Sequence, residues 1–137
     1  MRDLDKRKIM SDNKESIYGT IGWIDQVSHN TEAVKGFYEK VTHWKPEPVS
    51  MGDYNDYNMT VDGEPKAGVC NKTGTNADLP TGWMIYINVP DLDASRKACE
   101  ENGGKLLTDI KSAGSMGRYC FIEDPGGAAC ALFEPKV

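Results

Sequence analysis

Histidine is scarce in this sequence, and its cysteines lack the spacing of a metal or redox motif. The two histidines, His29 and His43, fall at a predicted strand-to-helix junction and near a predicted helix C-terminus. Neither is framed by other catalytic residue types, and we interpret both as surface residues. The four cysteines include no CxxC pair, which argues against a zinc knuckle or a thioredoxin-like motif. No GxSxG nucleophile motif is present either. A histidine-based mechanism therefore has little support.

The sequence also lacks an excess of basic residues and any long apolar run. Its 16 basic and 21 acidic residues give a formal net charge of −5, whereas a nucleic-acid-binding surface is rich in Lys and Arg. No apolar run approaches the roughly 20 residues of a bilayer-spanning helix. Residues 1–16 are polar and lack the apolar segment of a signal peptide. We therefore predict a flexible tail over 1–16 and a cytoplasmic protein with reduced cysteines and no nucleic-acid or membrane partner.

An internal repeat defines the organisation of the chain. The stretch that begins at Ile24 resembles the one that begins at Ile85, an offset of 61 residues. Each is an apolar strand that runs into a helix-capping residue, Asn30 in the first copy and Asp91 in the second. Apolar residues at helical spacing then predict helices over 31–42 and 92–102.

Three strand-like runs follow each predicted helix, and turn signals such as Asp62-Gly63 separate them. The strands are predicted over 44–51, 54–61 and 65–71, and again over 105–110, 118–123 and 128–134. The order is thus βαβββ, a linker over 73–81, and a second βαβββ. We predict an α+β fold in which residues 17–137 form one domain, with units at about 17–72 and 82–137. Neither half alone would bury enough apolar surface to form a stable hydrophobic core.

Three motifs, in this order and spacing, resemble one known family. They are Gly36-Phe37-Tyr38-Glu39-Lys40-Val41 with Trp44, Val89-Pro90-Asp91-Leu92-Asp93-Ala94 running to Asn102-Gly103-Gly104, and Phe121-Ile122-Glu123-Asp124-Pro125-Gly126-Gly127. The chain resembles the glyoxalase/bleomycin-resistance/dioxygenase group, the vicinal oxygen chelate superfamily. This resemblance implies paired curved sheets around a cup-shaped cleft, and commonly a symmetric homodimer.

The resemblance also locates the positions at which metal-dependent members carry His, Gln or Glu. In this sequence those positions fall on Trp23, Val69, Met84 and Ala131. None of these side chains ligates a hard or borderline divalent ion. A shift of one residue in the alignment would supply at most two thiols, from Cys70 and Cys130. The sequence therefore predicts no metal site and no cofactor.

Asp25 is the one candidate for a catalytic residue. Strand alternation puts it on the same face as Trp23, and the repeat extends that face to Met84 and Tyr86, with Ile85 and Ile87 on the opposite, helix-covered face. Such a carboxylate is expected to contact a ligand or to act as a base, unless it is solvated or ion-paired. The predicted ligand-binding set is Trp23, Asp25, Tyr57, Met59, Met84 and Tyr86.

The interpretation that follows is a metal-independent protein that binds a small organic molecule, of the glyoxalase/bleomycin-resistance type. Two alternatives stay open at this point. One is a glyoxalase-like lyase or isomerase that uses Asp25 as a base, so that enzymatic activity is undecided. The other is an interaction subunit whose cup is filled by its own side chains.

Overall fold

The computed structural model of the chain describes residues 17–136, and the predicted tail over 1–16 lies outside them. Within this range there are two helices, α1 (Thr31–Thr42) and α2 (Leu92–Glu101), and nine strands with both parallel and antiparallel pairs. The strands are β1 (Ile21–Ser28), β2 (Lys45–Ser50), β3 (Asn55–Val61), β4 (Glu64–Asn71), β5 (Gly82–Asn88), β6 (Lys105–Leu106), β7 (Lys111–Ser112), β8 (Gly117–Glu123) and β9 (Ala129–Pro135). The α+β class is confirmed, and the first half follows the predicted βαβββ order. In the second half the predicted strand over 105–110 is replaced by two short strands, β6 and β7, so that four strands follow α2.

Both helices begin directly after the predicted N-capping residues. The side chain of Asn30 accepts a hydrogen bond from the Ala33 amide at 3.4 Å, and Asp91 accepts one from the Ala94 amide at 3.1 Å. Each cap satisfies one of the amides that a helix leaves free at its N-terminus. α1 ends at His43, which adopts the left-handed conformation (φ 65°). Neither α1 nor α2 is long and apolar enough to cross a membrane, and no other helix within 17–136 is.

The chain divides by its contacts into two compact units. The first unit is Trp23–Met84, and the second unit is Ile85–Val137 together with the segment that ends at Gly22. The predicted linker, 73–81, falls inside the first unit, where Leu79 is buried. The assignment of 17–137 to one domain stays a prediction.

In the first unit the strand order is β2-β3-β4-β1, with β1 parallel to β4 and the other neighbours antiparallel. Its core consists of Tyr57, Met59 and Val69, and Val34, Tyr38 and Trp44 pack against it. Because Val34 and Tyr38 belong to α1, this core lies on the sheet face that α1 covers.

The second unit repeats this plan with β5 parallel to β9, and with β8 antiparallel to β9, β6 and β7. Its core consists of Leu92, Cys120 and Leu132, with Ile87 and Ile122 among the partly buried side chains around it. Leu92 is the first residue of α2, so Ile87 lies on the helix-covered face, as strand alternation predicts.

Candidate functional site

One face of the first unit brings together the predicted residues Trp23 and Asp25. Strand pairing sets Asp25 opposite Gly68, and Gly68 opposite Asn58. Val69, the next residue of β4, packs in the core under α1. Successive strand residues point to opposite faces, so these residues lie on the face away from α1. We call this the Asp25 face and define it by Trp23, Asp25, Asn58, Gly68 and Cys70.

The carboxylate of Asp25 is nearly buried and held in place. Only 9% of the residue is exposed, and the Trp23 indole Nε1 donates a 2.7 Å hydrogen bond to its Oδ1. A side chain at Gly68 would collide with that same oxygen, so the carboxylate lies directly over the β4 backbone. Burying a carboxylate costs several kcal/mol unless partners compensate it, which makes this placement expensive to maintain.

Cys70 is a further partner of Asp25 that sequence reasoning did not assign to the site. Burial raises the pKa of the Cys70 thiol far above its ordinary range, and the negative charges of Asp25 and Asp56 raise that pKa further. Cys70 is therefore a neutral thiol at physiological pH, and it lacks the thiolate that a nucleophile requires. No local signal in the sequence indicates this position, because the pairing of β4 with β1 decides which face of the sheet Cys70 occupies.

The structure places Tyr57 and Met59 on the other face of the sheet. Both are buried in the core under α1, at 6% and 0% exposure. The Tyr57 hydroxyl donates to Glu32 Oε2 at 2.5 Å and accepts from Lys35 Nζ at 3.4 Å. These bonds satisfy the phenol within the protein. Neither side chain reaches the Asp25 face.

Met84 and Tyr86 fall in different units. Met84 is the last residue of the first unit and is 2% exposed. Tyr86, in the second unit, contacts Tyr119 and Phe121 with ring centroids 6.1 and 6.0 Å apart.

This aromatic cluster lies on the face of the second unit away from α2. Tyr86 is paired with Ala131, and Ala131 with Phe121, while Ile87 lies under α2. Tyr119 also stacks on Phe133 at an interplanar angle of 15°. Sequence reasoning found Tyr86 but missed Tyr119, Phe121 and Phe133, because their common face depends on strand register.

The four positions at which the resemblance implies metal ligands do not fit a metal ion. Val69 and Ala131 are fully buried, and neither side chain carries a donor atom. Met84 offers only a thioether and Trp23 only an N–H donor that is already bonded to Asp25, neither of which suits a hard or borderline divalent ion. Across residues 17–136 no group of three or more His, Cys, Asp or Glu side chains could hold a metal ion.

Comparison with known proteins gives relatives in Mycobacterium, Streptomyces and Didymella. The chain is 32% identical over 130 residues to "Putative glyoxylase CFP32" of Mycobacterium tuberculosis, covering 91% of this chain and 49% of the relative. It is 25% identical over 116 residues to "Anthracycline biosynthesis protein DauV" of Streptomyces sp. (strain C5), covering 85% and 42%. It thus spans about half the length of these relatives. A "Glyoxylase-like domain-containing protein" of Didymella fabae is 33% identical over 123 residues, covering 85% of this chain and 94% of the relative.

Solved structures share the fold. Methylmalonyl-CoA epimerase from Mycobacterium tuberculosis superposes with a TM-score of 0.56 at 17% identity, covering 88% of this chain and 91% of that one. A protein of Bacillus halodurans C-125, BH1468, superposes with a TM-score of 0.60 at 15% identity, covering 86% and 95%. At these identities the likeness concerns the fold alone. The model of one family matches residues 20–132, and the chain belongs to that family, the Glyoxalase/Bleomycin resistance protein/Dioxygenase superfamily.

Proposed function

We propose that this chain binds a small organic molecule without a metal ion, and that the Asp25 face contributes the binding residues. The observation that carries the proposal is the nearly buried carboxylate of Asp25 on the sheet face that points away from α1. Trp23 holds this carboxylate at 2.7 Å, and Gly68 leaves the space that it occupies. A buried charge kept in a fixed position is typical of a functional site.

The chemistry of this face favours a particular kind of ligand. An ionised carboxylate accepts hydrogen bonds and attracts a cation, so the group that meets Asp25 is an amine or a hydroxyl. The Trp23 ring beside it offers an aromatic surface on which a planar group, or a cation, can stack. We therefore propose a planar or amphipathic ligand with an amine or hydroxyl substituent.

An anthracycline is a suitable probe of this proposal. Two relatives are named anthracycline biosynthesis proteins, DauV and DnrV. Anthracyclines such as daunorubicin are planar, fluorescent and carry an amino sugar, which matches the chemistry of the Asp25 face.

The test compares daunorubicin binding, followed by its fluorescence, to the native chain and to the Asp25→Asn variant. A hydrogen bond to a charged group is worth about 1.5–3 kcal/mol, so the variant should bind at least about tenfold more weakly. Asp53→Asn is the matched control, because Asp53 is exposed in the loop between β2 and β3, and it should bind normally. Equal binding by Asp25→Asn, or no binding by the native chain, would count against the proposal.

A further inference from the structure

A groove in the second unit has a chemistry that the Asp25 face does not share. It has a volume of about 370 Å³ and lies at the β7–β8 hairpin, with Ile110, Ser112, Gly117, Arg118, Glu134 and Lys136 in its wall. We call it the hairpin groove. Its volume falls within the range of small-molecule sites, about 300–1,000 Å³.

Two close backbone approaches shape the groove. Gly117 has φ 144°, and a side chain there would collide with the Glu134 carbonyl, so only glycine fits where β8 passes β9. The Lys136 amide donates to the Met116 carbonyl at 2.9 Å. This bond holds the end of β9 against the β7–β8 hairpin and so fixes the backbone position of Lys136.

Arg118 is oriented by two carboxylates. Its Nε donates to Glu134 Oε1 at 2.9 Å, and its Nη2 donates to Asp93 Oδ2 at 2.8 Å and to Glu134 Oε2 at 3.2 Å. Nη1 makes no hydrogen bond to any of residues 17–136. A guanidinium is planar and rigid, so fixing one edge also fixes the direction of the free Nη1 hydrogens.

Two further donors stand in the same wall. Ser112 Oγ accepts from the Gly114 amide at 3.0 Å, which leaves its hydroxyl hydrogen available to another acceptor. Lys136 is exposed and forms no ion pair with the residues that the structure describes. A guanidinium, a hydroxyl and an ammonium are therefore presented to one groove.

The net charge of the groove also indicates which class of ligand it binds. Its wall carries Lys111, Arg118 and Lys136 against Glu134, and Asp93 also pairs with Arg118. Three positive and two negative groups leave one positive charge, in a chain whose formal net charge is −5. One net positive charge balances a single carboxylate better than a doubly charged phosphate.

We propose that the hairpin groove binds the carboxylate of a small organic acid, through Arg118 Nη1, the Ser112 hydroxyl and Lys136. This site is separate from the Asp25 face, which belongs to the first unit. Ile110 supplies an apolar contact for the hydrocarbon part of the acid. The two sites can therefore be tested independently.

The experiment is a titration of the full chain with sodium butyrate, followed by amide chemical shifts in ¹H–¹⁵N NMR spectra. Saturable shifts are expected at Gly114, Gly117 and Lys136.

Ser112→Ala and Lys136→Gln should each weaken binding by about threefold or more, since each removes a hydrogen-bond donor. Arg118 is left unchanged because its two ion pairs also support the fold. Lys105→Gln, which removes an exposed lysine from β6 of the same unit, and Asp25→Asn should leave butyrate binding unchanged.

Inorganic phosphate is the second probe. Weaker binding of phosphate than of butyrate at pH 7.5 is expected. Tighter binding of phosphate would overturn the assignment of a monocarboxylate. An absence of saturable shifts with butyrate, or equal binding by the Ser112→Ala and Lys136→Gln variants, would overturn the site itself.

Discussion

At the scale of single residues, the site depends on a missing side chain as much as on those present. Asp25 can lie over β4 only because residue 68 has no Cβ. The Trp23 hydrogen bond then fixes the carboxylate at that place. A substitution that adds a Cβ atom at residue 68 should therefore displace the Asp25 side chain, although residue 25 itself is unchanged.

The Gly68→Ala variant tests this dependence. The new methyl group must displace the Asp25 carboxylate, which should break its bond to Trp23 and cost about 1–3 kcal/mol of stability. Daunorubicin binding should weaken as it does in Asp25→Asn. The measurements are urea unfolding and daunorubicin titration.

Gly36→Ala in α1 is the control, because its Cβ would meet nothing within 4 Å, and it should stabilise the chain by about 0.5–1 kcal/mol. Native-like stability and binding in Gly68→Ala would contradict the described position of Asp25.

At the scale of elements, the helices were predictable because their signals are local. Asn30 and Asp91 are capping residues, and the apolar spacing after them continues to the observed ends within one residue. Leu92 and Ile87 also share a face as the periodicity predicts.

The facing of the individual strands was not predictable in the same way. Val69 was aligned with the metal-ligand positions, and Tyr57 and Met59 with the ligand-binding set, yet all three pack under α1. The alternation in β3 sets Tyr57 and Met59 on one face and Asn58 on the other, but alternation alone does not say which of the two faces α1 covers. Only the pairing of β4 with β1 decides the matter, and that pairing joins segments far apart in sequence. Cys70 was missed for the same reason.

Glu134 links the last strand, β9, to the N-terminus of α2, and its contribution to the stability of the fold should depend on pH. It accepts hydrogen bonds from Arg118 and from the Leu92 amide, the first of α2, and these lower the pKa of Glu134. A carboxyl whose pKa is lower in the folded state stabilises the fold above its unfolded pKa of about 4.3. That contribution is lost as the pH falls through the folded-state pKa.

The Glu134→Gln variant should therefore be less stable than the native chain by about 1 kcal/mol at pH 7, the usual value of a lost cap or charged hydrogen bond. The difference should shrink as the pH falls below the unfolded pKa of about 4.3, and urea unfolding at pH 7 and at one acidic pH measures it. Glu101→Gln is the control at the other end of α2, where a carboxylate is unfavourable to the helix dipole, and it should not destabilise. An equal loss at both pH values for Glu134→Gln would show that the ionised carboxylate is not the stabilising form.

At the scale of the whole molecule, we predict that the chain forms a homodimer. The prediction rests on the resemblance to its family and on the prevalence of twofold symmetry among assemblies. Large apolar side chains on the surface, such as Phe37 and Val41 at 56% and 59% exposure, are compatible with such an interface. Light scattering at micromolar concentration should give about twice the chain mass of 15.1 kDa. A mass of one chain over that range would refute the prediction.

The parallel strand pairs have a consequence for how the protein is made. In each unit the first strand pairs with the last, β1 with β4 and β5 with β9. Such a contact must wait until the intervening helix and strands have been synthesised, and closing so long a loop slows folding. β9, the partner of β5, is synthesised after α2 and three further strands. The second unit therefore completes its fold only after β9 has been synthesised, so a chain that is stalled before Ala129 exposes β5 to aggregation.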